Sequence, residues 1–89
     1  MTAVTVAEYI PTAVPWMEVV KLTAPATTST YTSRKFMAVK AAMYMYAGAP
    51  TDVNHEYYAT VSGNVVTLVT AGTAADIYLF VFGADYGKA

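Results

Sequence analysis

The clearest hydrophobic pattern lies in the second half of the chain, where apolar and polar residues alternate with the period of two typical of β-strands. Residues 55–61 alternate in this way and are followed by Ser-Gly-Asn at 62–64 and a β-branched run at 65–70. Because Gly and Asn tolerate positive φ, this arrangement predicts a tight β-hairpin. A second turn at 71–76 precedes another strand at 77–82, and we predict that the three strands form one antiparallel meander.

The last of these strands, IYLFVF at 77–82, is apolar on both faces, because its odd-numbered residues are aliphatic and its even-numbered residues aromatic. One set can fill a core, while the other needs a second cover, either another sheet or a neighbouring subunit. We therefore predict an aromatic interface. Its predicted residues are ring-bearing side chains of three segments: Tyr78, Phe80, Phe82, Trp16, Tyr44 and Tyr46.

Two segments in the first half also predict strands. Residues 16–22 (WMEVVKL) predict a short strand in which Glu18 and Lys21 fall on opposite sides. Residues 36–46 (FMAVKAAMYMY) are ambiguous, because Ala, Met and Lys favour a helix, while every second residue from Met37 to Met45 is apolar. We favour a strand whose methionine row faces the core and whose tyrosines lie on a half-exposed face. A helix of three turns is the alternative.

The remaining segments predict irregular structure. Residues 1–14 predict an extended N-terminal arm, which Pro11 interrupts, and residues 84–89 a C-terminal tail around a β domain at 15–83. Residues 23–33 are small and polar, which predicts a long loop. The predicted fold class is all-β: a small antiparallel β-sandwich or barrel-like domain with an extended N-terminal arm.

Composition adds a reason to expect partners. The chain has 89 residues, 56% of them hydrophobic and only 12% charged, whereas an ordinary soluble domain is about 25% charged. A domain of this size has little interior, so some apolar side chains must face another subunit, another protein or a membrane. Charges such as Lys40, Asp52 and Asp76 interrupt the apolar stretches, and we predict no membrane span.

The charge distribution argues against nucleic acid, because a nucleic-acid groove needs clustered positive charge. The net charge is −1. Apart from one adjacent pair, the basic residues are scattered: Lys21, Arg34, Lys35, Lys40 and Lys88.

Candidate catalytic and metal-binding residues are few. There is no cysteine, which excludes disulfides and thiolate metal sites, and the single histidine, His55, stands beside Glu56 and three residues after Asp52. On a strand His55 and Glu56 point to opposite faces, so we interpret them as surface residues. We predict no catalytic, metal or cofactor site. The eight tyrosines and one tryptophan could stack on bases or sugars, but the interface interpretation fits them better.

Residues 61–83, VSGNVVTLVTAGTAADIYLFVFG, resemble the C-terminal hairpin that closes a β-sandwich in small virion proteins of tailed phages. The resemblance implies a virion location and a non-enzymatic capsid decoration or cement protein. Such a protein forms homo-oligomers, here through the aromatic strand and the arm, and binds the major capsid protein or another virion protein. The alternatives are a tail, neck or fibre component and a small carbohydrate- or ligand-binding module that uses Trp16 and the tyrosines. An enzyme is the least favoured hypothesis.

Overall fold

The structure is a computed structural model that describes residues 2–47, 57–70 and 74–85, and all regular structure in these ranges is β. The strands are β1 Thr2–Ala3, β2 Val6–Ile10, β3 Met17–Leu22, β4 Ser29–Thr32, β5 Ala38–Tyr46, β6 Tyr57–Ser62, β7 Val65–Thr70 and β8 Ile77–Asp85. They form sheet A, ordered β1-β4-β7-β6, and sheet B, ordered β2-β3-β8-β5. Neighbouring strands are antiparallel, except for β1 and β4. The predicted all-β sandwich is confirmed.

The core consists of the side chains that alternate toward the space between the two sheets, as the pleat of a β-strand requires. Strand β8 lies in the interior of sheet B, between β3 and β5, and its three aliphatic residues are fully buried. The buried apolar cluster contains Val20, Leu22, Tyr31, Phe36, Val39, Tyr57, Val66, Leu68, Ile77, Leu79 and Val81.

The predicted hairpin is confirmed, whereas the predicted meander is wrong. Strands β6 and β7 pair in unbroken register up to Ser62 and Val65, around a two-residue loop in which Gly63 has a φ of 60°. Strand β8, however, pairs with β3 and β5 in the other sheet. The place beside β7 that the meander would give to β8 is taken by β4.

Strand β4 falls within residues 23–33, so the loop prediction is wrong for this part. Ser29 and Tyr31 alternate toward the core and are buried, while Thr32 is exposed. The Ser29 hydroxyl donates to the carbonyl of Ala26 at 2.8 Å, which satisfies a buried polar group. Small polar residues form this strand because β7 supplies its backbone partners.

Strand β5 is confirmed, but the predicted assignment of its faces is wrong. Its pairing with β8 shifts on both sides of Val39, and Lys40 is the additional residue of the second shift. A β-bulge of this kind inverts the alternation beyond it. The two tyrosines of β5 therefore pack toward the core, whereas Met43 and Met45 are 56% and 54% exposed.

The two ends of the chain take part in the sheets. Residues 1–14, predicted as an arm, contain β1 and β2, which are edge strands of sheet A and sheet B. Val6 and Tyr9 of β2 pack against the core. Strand β8 continues to Asp85, two residues into the predicted tail, and residues 86–89 lie outside the described residues.

Gly83 provides the space that the buried ring of Phe36 occupies. A Cβ at position 83 would lie less than 3.0 Å from three ring carbons of Phe36. The ring is completely buried, so it has little freedom to move aside.

We expect Gly83→Ala to reduce the free energy of unfolding by about 1–3 kcal/mol, because it overpacks this contact. Urea denaturation measures the change. In a Phe36→Leu background, where the ring is absent, the same substitution should cost clearly less. An equal loss in both backgrounds would contradict the proposed steric cause.

Candidate functional site: the exposed face of sheet B

The outward side of sheet B is mostly apolar, and its charged residues lie in a single row. Residues paired across neighbouring strands lie on the same side of a sheet, so the register identifies the members of this side. They form three rows: Met17, Phe82 and Ala41; then Ile10, Val19, Phe80 and Met43; then Glu8, Lys21, Tyr78 and Met45. We call this surface the apolar face.

The apolar face is most open on its β5 side, where Met43 and Met45 are each more than half exposed. Phe80 and Phe82 are half-buried beneath their neighbours in the sheet, and Val19 at the centre is only 7% exposed. Single exposed hydrophobic residues are ordinary, but a contiguous group on one sheet face indicates an interaction surface.

Trp16 extends the apolar face beyond its first row. Its ring stacks on Phe82 with a centroid separation of 6.2 Å and an interplanar angle of 24°, yet the residue is 52% exposed. The N–H of Gly83 donates to the carbonyl of Trp16 at 3.1 Å. The Lys35 ammonium group donates to the carbonyls two residues before and one residue after Trp16, each at 2.9 Å. These hydrogen bonds fix the backbone around Trp16, and the stacking on Phe82 positions its exposed indole ring.

Charge is confined to one end of the apolar face. Glu8 and Lys21 are neighbours in the third row, and the Lys21 Nζ lies 5.9 Å from the centre of the Tyr78 ring, a cation–π contact. The first two rows carry no charged residue. A complementary surface is therefore neutral and apolar over most of its area.

The outward side of sheet A has a different chemistry. One row consists of Thr30, Thr67 and Thr60, the next of Thr32, Val65 and Ser62, and at the other end Tyr58 pairs with Val69. This hydroxyl-rich side is the polar exterior expected of a sheet with one buried face. The apolar face is therefore a property of sheet B and does not follow from the composition alone.

The predicted interface residues separate into two groups. Trp16 and the three aromatic residues of β8 lie together on the apolar face. Tyr44 and Tyr46 lie on the opposite side of sheet B, where their rings meet edge to face at 5.7 Å and Tyr44 also contacts Tyr57 at 5.6 Å. The predicted interface did not include the two exposed methionines of β5, because the bulge that turns them outward leaves no sign in the alternation.

A buried polar cluster that the sequence pattern did not predict surrounds Glu18, which is 0% exposed on the inner side of sheet B. Its Oε2 accepts hydrogen bonds from the hydroxyls of Tyr9 and Tyr31 at 2.8 and 2.9 Å and from the backbone N–H of Arg34 at 3.0 Å. Its Oε1 accepts one from the Ser33 hydroxyl at 2.9 Å. The sequence does hold a signal for its position, because Glu18 has the same phase as the buried Val20 and Leu22 of β3.

The Glu18 cluster changes the acidity of its tyrosines. Burial, together with the hydrogen bond to Glu18 and the charge of Glu18, raises the pKa of Tyr9 from 10.0 to about 12. The same causes raise the pKa of Tyr31. Burial also raises the pKa of Tyr57, whose hydroxyl donates to the carbonyl of Pro25 at 2.8 Å.

We expect the free energy of unfolding to fall as the pH rises from 10 to 12. The pKa of Tyr9 is higher in the folded state than the 10.0 of an unperturbed tyrosine, so its stabilisation is complete below pH 10 and disappears as the pH passes 12. Denaturant titrations at several pH values measure the slope. Tyr9→Phe should make the slope smaller, while Tyr31 and Tyr57, whose pKa values are also raised, keep the rest of it. A Tyr9→Phe slope equal to that of the wild type would refute this account.

We expect Glu18→Gln to lower the free energy of unfolding by about 1.5–3 kcal/mol, because an amide group replaces one acceptor oxygen among groups that all donate. The matched control is Glu8→Gln at an exposed position of β2, which should change stability by less than about 0.5 kcal/mol. Urea midpoints at neutral pH compare the two. Similar losses from both variants would show that the buried hydrogen bonds are not the cause.

The described residues contain no group of three or more His, Cys, Asp or Glu side chains that could hold a metal ion. His55, Asp52 and Glu56 lie outside the described residues. The Ser33 hydroxyl donates to Glu18 and accepts the N–H groups of Lys35 and Phe36, so it is part of the fold's hydrogen bonding.

No helix with the length and apolar character of a membrane span occurs in residues 2–47, 57–70 or 74–85. Comparison of the chain with protein-family models, curated proteins and solved structures finds no match.

Proposed function

We propose that this protein is a non-enzymatic structural component of a virion, a capsid decoration or cement protein that binds the assembled capsid lattice through its apolar face. The observation that carries the proposal is the exposure of Trp16, Met43 and Met45 around half-buried aromatic rings. The virion setting comes from the resemblance of residues 61–83 to small virion proteins of tailed phages.

The side chains of the apolar face suit docking on a protein surface. Methionine is flexible and polarisable, so Met43 and Met45 adapt to an uneven partner surface. Trp16 supplies a large, positioned aromatic anchor of the kind that dominates interface energies. The charge pattern selects the partner: a neutral, apolar area of the coat protein, with polar groups only where Glu8 and Lys21 meet it.

The size of the apolar face favours a repeated partner. With strands about 4.8 Å apart and alternate residues about 6.7 Å apart, four strands and three rows project to roughly 400 Å². Stable protein–protein interfaces bury about 800 Å² on each partner. Even allowing for the larger accessible area of side chains, one copy of this face binds weakly, so a regular lattice that engages several linked copies is the partner that suits it.

We expect Met43→Glu to weaken binding to assembled capsids by roughly tenfold or more, because it places a carboxylate in an apolar contact. Met43 is 56% exposed, so the fold should be retained. The control is Val69→Glu on the outward side of sheet A, where the residue is 38% exposed and binding should persist. Cosedimentation with capsids, and separately with dissociated coat subunits, measures both variants.

The proposal predicts binding to the capsid lattice and none to free subunits. Equal binding by Met43→Glu and the wild type would contradict it. Binding to purified tails, necks or fibres in place of capsids would favour the tail or fibre role. Binding to immobilised glycans that Trp16→Ala abolishes would favour a carbohydrate-binding module. Loss of self-association in Met43→Glu, with capsid binding unchanged, would make the apolar face a homo-oligomer interface.

A further inference from the structure

The edge strands of the two described sheets differ in how they are protected. An exposed edge presents unpaired backbone groups that can pair with another chain, and proteins prevent this with short strands, charges, bulges or proline. Strand β1 has only two residues. Strand β2 carries Glu8 beside a register shift, and β5 carries Lys40 at its bulge. Strand β6 has six residues, YYATVS, with no charge, no proline and an unbroken register with β7.

The hairpin geometry determines which backbone groups of β6 point outward. In a hairpin with a two-residue loop, the residues flanking the loop, here Ser62 and Val65, form a hydrogen-bonded pair. Alternation then directs the N–H and C=O groups of Ala59 and Val61 away from β7. The N–H of Tyr57, in the same phase, donates to the Tyr44 hydroxyl at 3.3 Å, which agrees with this assignment.

The middle of β6 is accessible. Strand β5 lies close to β6, and hydrogen bonds join the two at both ends: the N–H of Tyr57 donates to the Tyr44 hydroxyl at 3.3 Å, and the N–H of Val39 donates to the carbonyl of Gly63, just beyond β6, at 2.8 Å. Residues 58–62 between these contacts are all exposed. Val61 pairs with a core residue of β7, yet it is 37% exposed. The side of β6 that faces the core is therefore incompletely covered.

We propose that β6 pairs antiparallel with β6 of a second copy of this chain, about a twofold axis at Thr60, and joins the two A sheets into one continuous sheet. This register pairs Thr60 with Thr60, Ala59 with Val61 and Tyr58 with Ser62. Hydroxyl-bearing residues then meet on the outward side and apolar residues on the inner side. Both are favourable cross-strand combinations.

The self-complementary register favours a second copy as the occupant, and charge favours β6 as the edge. A twofold axis at the centre of β2 would place Glu8 opposite Glu8, and like charges in that position are destabilising. Self-pairing of β5 would have to accommodate the bulge at Lys40. Strand β6 is uncharged along its whole length, so a second copy meets it without repulsion.

The pairing adds to the proposed function, and its role in binding the capsid rests on that function. The twofold axis of an antiparallel strand pair stands perpendicular to the sheet, so the two B sheets lie on the same side of the joined sheet. Both apolar faces then point in the same direction, and the dimer can engage two lattice positions at once. Binding of the second face is then intramolecular, so the dimer binds the lattice more tightly than one copy does, although each face makes the same contacts.

Analytical ultracentrifugation over a range of concentrations tests the pairing with a charge exchange at the axis. The wild type should dimerise, and Thr60→Lys and Thr60→Glu should each raise the dimer dissociation constant at least tenfold. An equimolar mixture of the two variants should restore the dimer, which also shows that both are folded. The control is Thr32→Lys, at an exposed position of β4 on the same side of sheet A, which should dimerise like the wild type.

A wild type that stays monomeric at every concentration, or Thr60 variants that dimerise like it, would overturn the pairing. A mixture that stays monomeric although circular dichroism shows both variants folded would do the same. Met43→Glu separates this inference from the proposed function, because it should dimerise normally while losing capsid binding. Loss of its dimer would overturn the β6 pairing. Normal capsid binding by Met43→Glu would overturn the proposed function and leave the β6 pairing standing.

Discussion

Strand β8 is apolar on both of its faces, and a sandwich of two sheets covers only one of them. Its aliphatic residues are buried against sheet A, whereas Tyr78, Phe80 and Phe82 stay half-buried beneath their neighbours in sheet B. A domain of this size buries only about 60–65% of the surface of its unfolded chain, so it has little material for a third layer. The interior position of β8 thus has two consequences: its aliphatic side stabilises the core, and its aromatic side forms part of the apolar face.

The core that β8 helps to form also contains a carboxylate. Glu18 contributes from β3 in sheet B, and its donors come from β2, from β4 in sheet A and from the segment that follows β4. A buried carboxylate is costly unless its hydrogen bonds are made, so the cluster favours one relative placement of the two sheets over others with similar apolar contacts. It also explains why residues before the predicted domain boundary belong to the folded unit, because Tyr9 is one of the donors.

The apolar face and the edge of β6 point in different directions, and this allows them to act together. The face points outward from sheet B, while the open edge of β6 lies in the plane of sheet A. Pairing through the edge leaves the face free, and docking through the face leaves the edge free. A small neutral face with a self-complementary edge suits attachment to a repeating surface, where weak contacts accumulate.

The sequence by itself determined the features that depend on neighbouring residues. These are the strand patterns of β6, β7 and β8, the turn at Gly63 and the excess of apolar over charged residues. The tertiary structure decided what depends on distant partners. Residues 29–32 are a strand because β7 lies beside them, and β8 joins sheet B because β4 occupies the alternative place. The bulge at Lys40 inverts the faces of β5, which moves Tyr44 and Tyr46 inward and Met43 and Met45 outward. The physical reason is common to all three: strand pairing and bulges are settled by backbone hydrogen bonds between segments far apart in the chain, and alternation within one segment carries no record of them.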